Sequence, residues 1–174
     1  YEAVEVGGAT GVALHGAAPA LRDALAARGT LYAHAAAVPD RRELRGRAPA
    51  YAIRLGDADV VVRHSTHGGL LAPLTRDLFR APTRAPVELA TSERLRALGV
   101  RTPEIVAYVR YPGPLGFERA DVATRLVPDG RDLAEAIRAL PLRREPTGGW
   151  VRATGTLLHA LAQAGARHPD LNLK

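Results

Sequence analysis

The order of strand-like and helix-like segments constrains this chain more than any single motif does. Residues 51–55 alternate apolar and polar side chains, and residues 60–64 begin with three consecutive valines. A short turn rich in Gly and Asp, residues 56–59, separates them, so the three segments together predict a β-hairpin. Residues 87–98 then carry a helical pattern that Gly99 ends. A hairpin followed by such a helix predicts a mixed α+β fold.

The segments after this helix continue the same order. Residues 105–110 and 117–126 predict two further strands around a Tyr-Pro-Gly-Pro turn. Residues 127–130 have the composition of a linker, and helical patterns follow at 132–140 and 150–164. The chain therefore predicts about five strands with one helix before the fourth, then a hinge, then helices.

The first part of the chain adds elements ahead of this order. Residues 1–12 predict a short strand and a Gly-rich turn, residues 19–28 a helix, and residues 31–38 either a strand or a buried turn of helix. We therefore expect three regions: an amino-terminal extension (1–43), a sheet-rich part (44–127), and a hinge with the start of a helical part (128–174).

Charge and composition limit the partners of the chain. Lysine and arginine number 24 against 18 acidic residues, and this net charge of +6 favours anionic partners. Lys174 is the only lysine, so a side chain that contacts phosphate earlier in the chain must be an arginine or a protonated histidine. The absence of cysteine excludes disulfides, a thiolate nucleophile and a zinc–thiolate site, and fits a reducing, cytoplasmic compartment. No apolar run approaches the roughly 20 residues that span a bilayer.

The last residues carry a motif with catalytic chemistry. His168, Asp170 and Asn172 lie in the run H-P-D-L-N-L-K, which begins like the H-x-D-x-x-x-x-N loop of kinases. In that loop the Asp orients and deprotonates a hydroxyl, and the final Asn holds a metal ion. That Asn would fall one position beyond Lys174 and the chain has no Met, so we expect the native protein to extend past both given ends. The alternative interpretation is a His and an Asp in a polar turn after a helix.

Four runs of residues, in consistent order, carry a resemblance to a known family. They are R-H-S-T-H-G-G from Arg63, E-R-L-R-A-L-G-V from Glu93 with the following Pro103, R-A-D-V-A-T-R-L-V-P from Arg119, and H-P-D-L-N from His168. These runs resemble the R-H-Y-x-x-G-G, L-x-x-L-G-x-x-x-P, R-A-D-L-x-T-x-x-I-P and H-x-D-L-N segments of the bacterial lipopolysaccharide kinases, in particular the 3-deoxy-D-manno-octulosonic acid (Kdo) kinases. The likeness covers about residues 44 to 174.

The resemblance implies a protein-kinase-like fold. Its amino-terminal lobe would be a five-stranded antiparallel sheet with a helix C, followed by the start of a helical carboxy-terminal lobe. Asp170 would be the catalytic base, and Asn172 would take the place that protein kinases give to a lysine beside the transferred phosphate. Arg63 stands where the third strand carries a phosphate-contacting cation, and Glu88, of the two candidates Glu88 and Glu93, stands where a glutamate pairs with that cation.

The same resemblance implies a nucleotide site and a reaction. Gly46 and Arg47 would lie in the loop over the nucleotide, and the hinge backbone near Arg125 and Val127 would meet the adenine. The implied cofactors are ATP and Mg²⁺, and the implied acceptor is a sugar hydroxyl of the lipopolysaccharide core or Kdo–lipid A. The given residues include no predicted metal ligand, so we expect them to lack kinase activity by themselves. The loop is poor in glycine, and Arg125 stands where the family pattern leads us to expect an uncharged or acidic residue.

Other functions stay open on the residues alone. A kinase-like pseudoenzyme or nucleotide-binding module would keep the fold without the chemistry. A protein Ser/Thr kinase is disfavoured because such enzymes carry a lysine at the position of Asn172. A nucleic-acid-binding domain is disfavoured because aromatic residues make up only 5% and the arginines are scattered. Arg76, Arg80 and Arg84 are expected to favour an anionic lipopolysaccharide precursor and peripheral contact with the inner membrane. The oligomeric state is not predicted.

Overall fold

The computed structural model describes residues 1–44, 48–66, 77–130 and 147–166. Within them, the strands are β1 (Glu2–Val6), β2 (Ala9–Ala13), β3 (Arg42–Leu44), β4 (Ala50–Leu55), β5 (Ala58–His64), β6 (Phe79–Arg80), β7 (Ile105–Pro112) and β8 (Phe117–Arg125). The helices are α1 (Ala18–Arg28), α2 (Leu31–Ala37), α3 (Ala85–Ala97) and α4 (Thr147–Gln163), with a 3₁₀ turn at Pro114–Gly116.

The strands form one antiparallel sheet in a first compact unit, which comprises Tyr1–Ser92 and Pro103–Leu126. Their order across the sheet is β1-β2-β7-β8-β5-β4-β3, and β6 pairs with β8. Because β5 and β8 are neighbours in this order, His64 at the end of β5 lies opposite Asp121 of β8. The register therefore joins two of the sequence runs that are far apart along the chain.

The expected five-stranded sheet is wrong in its count, because eight strands join the sheet within the described residues. The hairpin of β1 and β2 extends the sheet by pairing with β7, and β6 adds two residues beside β8. Gly11 permits the close pairing of β2 with β7, since a Cβ atom there would lie 2.1 Å from the carbonyl oxygen of Tyr108. Residues 1–43, expected as an extension, thus lie in the first unit with the sheet. The predicted domain boundaries stay predictions.

One face of the sheet is covered by α1 and α2. Alternate residues of β5, Val60 and Val62, are fully buried against this layer, together with Leu21 of α1 and Leu31 of α2. The segment at 31–38, left open between strand and helix, is helical because the Thr30 hydroxyl accepts a hydrogen bond from the Ala33 N–H at 3.0 Å and so caps α2. This face contains the larger apolar cluster of the described residues.

The opposite face carries α3 and a smaller apolar cluster. Ala85 of α3 packs there against Ile105 of β7 and against Ala120 and Val122 of β8. Much of this face is not sealed by apolar side chains, and the side chain of Arg63 on it keeps 46% of its surface exposed. The face of α3 is therefore the one on which charged residues of the sheet remain accessible.

The second compact unit comprises Glu93–Thr102 and Val127–Lys174. Its helix α4 begins three residues before the predicted start at residue 150 and ends one residue before the predicted end at 164. The helix predicted at 132–140 lies outside the described residues. Among the helices that the structure describes, none combines the length and the apolar composition needed to cross a membrane.

Candidate active site

The candidate site is organised around the last two residues of β5. Side chains of successive strand residues point to opposite faces of a sheet. Arg63 therefore lies on the α3 face and His64 on the face covered by α1 and α2, as their partners below show. One short stretch of strand thus connects an exposed face to a buried one.

On the α3 face, Arg63 pairs with Glu88. The guanidinium Nη2 donates a hydrogen bond to Oε2 of Glu88 in a close ion pair between β5 and the first turns of α3. The sequence left Glu88 and Glu93 as candidates for this partner and favoured Glu88, and the ion pair is formed by Glu88. Both side chains are partly exposed, so the pair remains accessible to a ligand.

A cleft of about 340 Å³ opens beside this ion pair, entirely within the first unit. Its polar lining consists of Arg63, His64, Ser65, Thr66, Thr83, Arg84 and Glu88. Apolar lining comes from Ala48 and Ala50, at the start of β4, and from Phe79 of β6. A cleft with two guanidinium groups, three hydroxyl residues and a small apolar wall is suited to a ligand that combines an anionic group with an apolar part.

Arg84 and Thr83 form the end of this cleft where α3 begins. The Arg84 carbonyl oxygen accepts a hydrogen bond from the Glu88 N–H at 2.9 Å, so Arg84 lies one helical turn before the glutamate. Thr83 is buried, and its N–H donates to Glu118 Oε2 at 3.3 Å, while its hydroxyl has no hydrogen-bond partner among the described residues. The start of a helix and an adjacent arginine both favour an anion in this part of the cleft.

On the opposite face, His64 contacts a buried carboxylate. Its Nδ1 donates to Oδ1 of Asp121 at 2.6 Å, and the carboxylate of Asp121 is completely buried. Oδ2 of Asp121 accepts two further hydrogen bonds, each of 2.8 Å, from the Tyr111 hydroxyl and the Tyr32 N–H. The Tyr111 hydroxyl in turn accepts a hydrogen bond from the Leu31 N–H at 2.9 Å. The first residues of α2 are thereby fixed to the sheet through Asp121.

A second carboxylate lies on the other side of the His64 ring. Nε2 of His64 donates to Oδ2 of Asp77 at 3.1 Å, and the same oxygen lies 3.3 Å from Nε of Arg119. The hydrogen bond to Asp121, followed by the charges of the two carboxylates, raises the pKa of His64 despite the opposing effect of burial. Since both ring nitrogens face carboxylate oxygens, the imidazolium is the form that satisfies this geometry.

The two tyrosines of this network remain protonated. Burial, and then the nearby charge of Asp121, raises the pKa of Tyr111 far above its usual range. Burial also raises the pKa of Tyr32 to about 12, followed by its hydrogen bond with Tyr51. Both phenols are therefore protonated at neutral pH, and the Tyr111 hydroxyl can donate its hydrogen bond to Asp121.

The hinge residues predicted from the sequence have other partners. Nε of Arg125 forms an ion pair with Oε2 of Glu104 at 2.6 Å, and the Arg125 N–H donates to the Glu104 carbonyl at 2.7 Å. Val127 is 55% exposed and accepts a hydrogen bond from the Gly130 N–H at 3.3 Å. Neither Arg125 nor Val127 is among the described residues that line the cleft. Their assignment to an adenine site stays a prediction.

The remaining predicted site residues lie outside the described residues. They are Gly46 and Arg47 of the expected nucleotide loop, and Asp170 and Asn172 of the expected catalytic loop. In the part of the chain that the structure describes, no group of three or more His, Asp or Glu side chains is arranged to hold a metal ion.

His64, Asp121 and Asp77 are the residues to which sequence reasoning gave no role. His64 and Asp121 occur in the runs R-H-S-T-H-G-G and R-A-D-V, so their presence in two motifs was the available signal. Their mutual contact depends on the pairing of β5 with β8, which spans 57 residues of sequence. Asp77 belongs to no run that was singled out, and nothing in the sequence indicated it.

Comparison with known proteins identifies the family of this chain. Residues 35–174 match the Lipopolysaccharide kinase (Kdo/WaaP) family, so the chain belongs to that family. Among curated proteins, it is similar to the 3-deoxy-D-manno-octulosonic acid kinase of Vibrio parahaemolyticus, with 28% identity over 74% of this chain and 53% of the relative. The corresponding kinase of Vibrio cholerae is 29% identical over 74% of this chain and 54% of its own length. That of Actinobacillus succinogenes is 30% identical over 69% and 50%, respectively.

The chain spans about half the length of the curated relatives it matches. No solved structure gave a significant match. The resemblance found in the sequence motifs is thus confirmed at the level of the family.

Proposed function

We propose that the protein containing this chain is an ATP-dependent phosphotransferase that phosphorylates a sugar hydroxyl of a lipopolysaccharide precursor. The observation that carries the proposal is the Arg63–Glu88 ion pair in the cleft on the α3 face. A strand cation paired with a glutamate of the following helix is the arrangement that kinases use on nucleotide phosphates. Family membership and the names of the similar kinases support the same class of reaction.

Arg63 would act on the nucleotide phosphates through its charge and its hydrogen bonds. Glu88 holds one edge of the guanidinium, which leaves the other N–H groups free to donate to phosphate oxygens. Arginine presents a rigid planar fork, whereas the lysine more usual in kinases is a point charge. We therefore expect α3, as the helix C of this protein, to set the direction of the guanidinium more strictly than it would set a lysine.

The reaction itself would take place between the nucleotide and the acceptor hydroxyl. The hydroxyl oxygen forms a bond to the γ-phosphorus, the bond from that phosphorus to the β–γ bridging oxygen breaks, and ADP leaves. The hydroxyl proton goes to the carboxylate of Asp170, and Asn172 donates a hydrogen bond beside the transferred group. Mg²⁺, when bound, supplies neutralisation of the phosphate charge. Phosphoryl transfer needs positioning and charge compensation more than covalent catalysis, and the residues named here supply both.

The acceptor is proposed to be anionic, in keeping with the net charge of +6. Arg80 and Arg84 are exposed, Arg84 lines the cleft on the α3 face, and Arg76 lies outside the described residues. We expect these three arginines to support contact with a negatively charged precursor or with the inner face of the inner membrane. Their simultaneous replacement by glutamine should weaken binding to anionic vesicles. Unchanged vesicle binding would remove the membrane part of the proposal.

The proposal is tested by ATP binding and turnover of the full-length protein, with Mg²⁺ and a Kdo–lipid A acceptor. Wild type is compared with Asp170→Asn. Turnover that disappears in the variant while ATP still binds supports Asp170 as the base. ATP binding without turnover in either protein indicates a nucleotide-binding module or another acceptor. Absence of ATP binding contradicts the proposal.

A further inference from the structure

We propose that His64 is a positioning residue: held between Asp121 and Asp77 on the covered face, it fixes the end of β5 so that Arg63 on the other face meets Glu88. This inference rests on the function proposed above, because the nucleotide is expected to be bound by Arg63. His64 borders the cleft, but both of its ring nitrogens are held by Asp121 and Asp77, so in this proposal the ring contacts neither the nucleotide nor the acceptor. It acts through the strand that it shares with Arg63.

The position of His64 at the end of a strand makes its side chain an effective anchor for that strand. His64 is the last residue of β5, and the Ser65 N–H donates to the Ala120 carbonyl at 2.9 Å as the final backbone bond to β8. Strand ends separate easily, since few bonds beyond them hold the backbone. A side-chain anchor at this residue therefore limits the motion of Arg63, one residue earlier, more than an anchor elsewhere in β5 would.

The contact between His64 and Asp121 is a strong anchor. Among the described residues, His64 makes the only ion pair of Asp121, whose other two donors are an uncharged hydroxyl and a backbone N–H. A fully buried carboxylate that loses its only cation is left with an uncompensated charge. The contact between Asp121 and His64 is therefore maintained strongly, and β8, a central strand, supplies a rigid base for it.

The other side of the His64 imidazole ring is also held by a carboxylate. Asp77 accepts from Nε2 of His64 and is itself held by Arg119 of β8. Only one orientation of the ring satisfies both carboxylates, so the strand end is fixed in rotation as well as in position. The charged groups facing His64 are thus Asp121, Asp77 and, behind Asp77, Arg119, while the Tyr32 ring of α2 lies 5.5 Å away, centroid to centroid.

A pH dependence follows from this arrangement. The pKa of His64 is raised in the folded protein, so the anchor is complete below the ordinary value of about 6.5 and is lost as the pH rises through the raised value. Loss of the charge would loosen the end of β5 and lower the affinity of Arg63 for phosphate. The affinity for ATP should therefore fall on the alkaline side of neutrality because of His64.

The experiment measures the dissociation constant of ATP for the full-length protein from about pH 6 to about pH 9. In His64→Asn the amide nitrogen takes the place of Nδ1 and can still donate a hydrogen bond to Asp121. In His64→Gln the amide lies near the place of Nε2, and the hydrogen bond to Asp121 is lost. We expect both variants to weaken ATP binding at pH 7, His64→Gln by about tenfold, in line with the loss of one charged contact, and His64→Asn by less, because it keeps a neutral hydrogen bond to Asp121. Both variants should lack the part of the pH dependence that belongs to His64.

His15→Gln is the matched control. His15 also pairs with a carboxylate, Glu2 of β1, at 3.0 Å, but its side chain is 76% exposed and it lies in the turn after β2 rather than in β5. We expect this variant to show the affinity and pH profile of wild type. Titration of the ATP phosphates is common to all the proteins, so only the difference from wild type is assigned to His64.

A second measurement keeps the inference independent of nucleotide binding. Unfolding in urea is compared for His64→Gln, Glu88→Gln and the double variant, because positioning of Arg63 predicts that the two substitutions are not additive. Non-additive shifts together with an absence of ATP binding would contradict the proposed function and leave the positioning role intact. Additive shifts, or a His64→Gln variant with wild-type affinity and pH profile, would overturn the inference.

Discussion

The two faces of the sheet differ in how they are closed. The face under α1 and α2 is sealed by apolar side chains, and its polar groups are buried with their hydrogen bonds satisfied around Asp121. The face under α3 has a small apolar cluster and an open cleft with the half-exposed pair Arg63–Glu88. The difference indicates that one face maintains the fold, whereas the other is the face on which we propose that the ligand binds. Strand β5 contributes to both faces, because its last two residues, Arg63 and His64, point to opposite faces.

The largest expected effect is on the covered face. Asp121→Ala removes the acceptor for three hydrogen bonds and leaves the His64 cation without its buried partner. We expect the free energy of unfolding to fall by about 3–5 kcal/mol. Urea denaturation measures it, with Asp59→Ala as the control, because the Asp59–Arg54 pair is 61% exposed on both sides. A loss below 1 kcal/mol for Asp121→Ala would contradict the stabilising role of that face.

The next effect compares apolar packing on the two faces. Leu21→Ala removes a fully buried side chain from the cluster under α1, and we expect a loss of about 3 kcal/mol. Leu89→Ala removes a partly buried side chain from the cluster under α3, and we expect about 1 kcal/mol. Thermal or urea unfolding distinguishes them. Equal losses would mean that the two faces contribute alike to stability.

The third effect is on ligand affinity. Arg63→Gln removes one of the two guanidinium groups of the cleft, and we expect the dissociation constant of ATP to rise at least tenfold, since a hydrogen bond to a charged group contributes about 1.5 kcal/mol or more. Stability should change by less than about 1 kcal/mol, because the pair with Glu88 is partly exposed. A large loss of stability with unchanged affinity would reverse the roles assigned to the two faces.

The smallest effect is the pH dependence of stability. The raised pKa of His64 means that its contribution is full below about pH 6.5 and declines as the pH rises through the folded value. We therefore expect the difference in unfolding free energy between wild type and His64→Gln to shrink with rising pH. Urea titrations at several pH values measure this difference. A difference that grows with pH would contradict the imidazolium form.

Much of the fold could be predicted because its signals are local. The hairpin of β4 and β5 was indicated by alternation and by Gly56, which has a positive φ in the turn, and the end of α3 by Gly99, which also has a positive φ. The pairing of β2 with β7 joins segments almost a hundred residues apart, and its local signals are only those of a short strand. The count of strands was therefore wrong although most individual strands were predicted.

Some residues of the candidate site could likewise be predicted from local sequence signals, and others could not. Arg63 and Glu88 could be named from motifs, and their contact is present. His64 and Asp121 were visible as letters of two motifs, but their relation needs the register of β5 against β8. Asp77 follows a segment rich in Gly, Pro and Arg and has no pattern of its own. A side chain whose role depends only on contacts in three dimensions leaves no local signal in the sequence.

The most direct test of the account is to observe which face of the sheet responds to ATP. Backbone amide resonances of the full-length protein are recorded by NMR during a titration with ATP and Mg²⁺. The account predicts saturable shifts at Ser65, Arg84 and Glu88 around the cleft and unchanged resonances at Leu21 and Ala35 on the covered face. Shifts confined to the covered face, or no saturable shift at all, would contradict it.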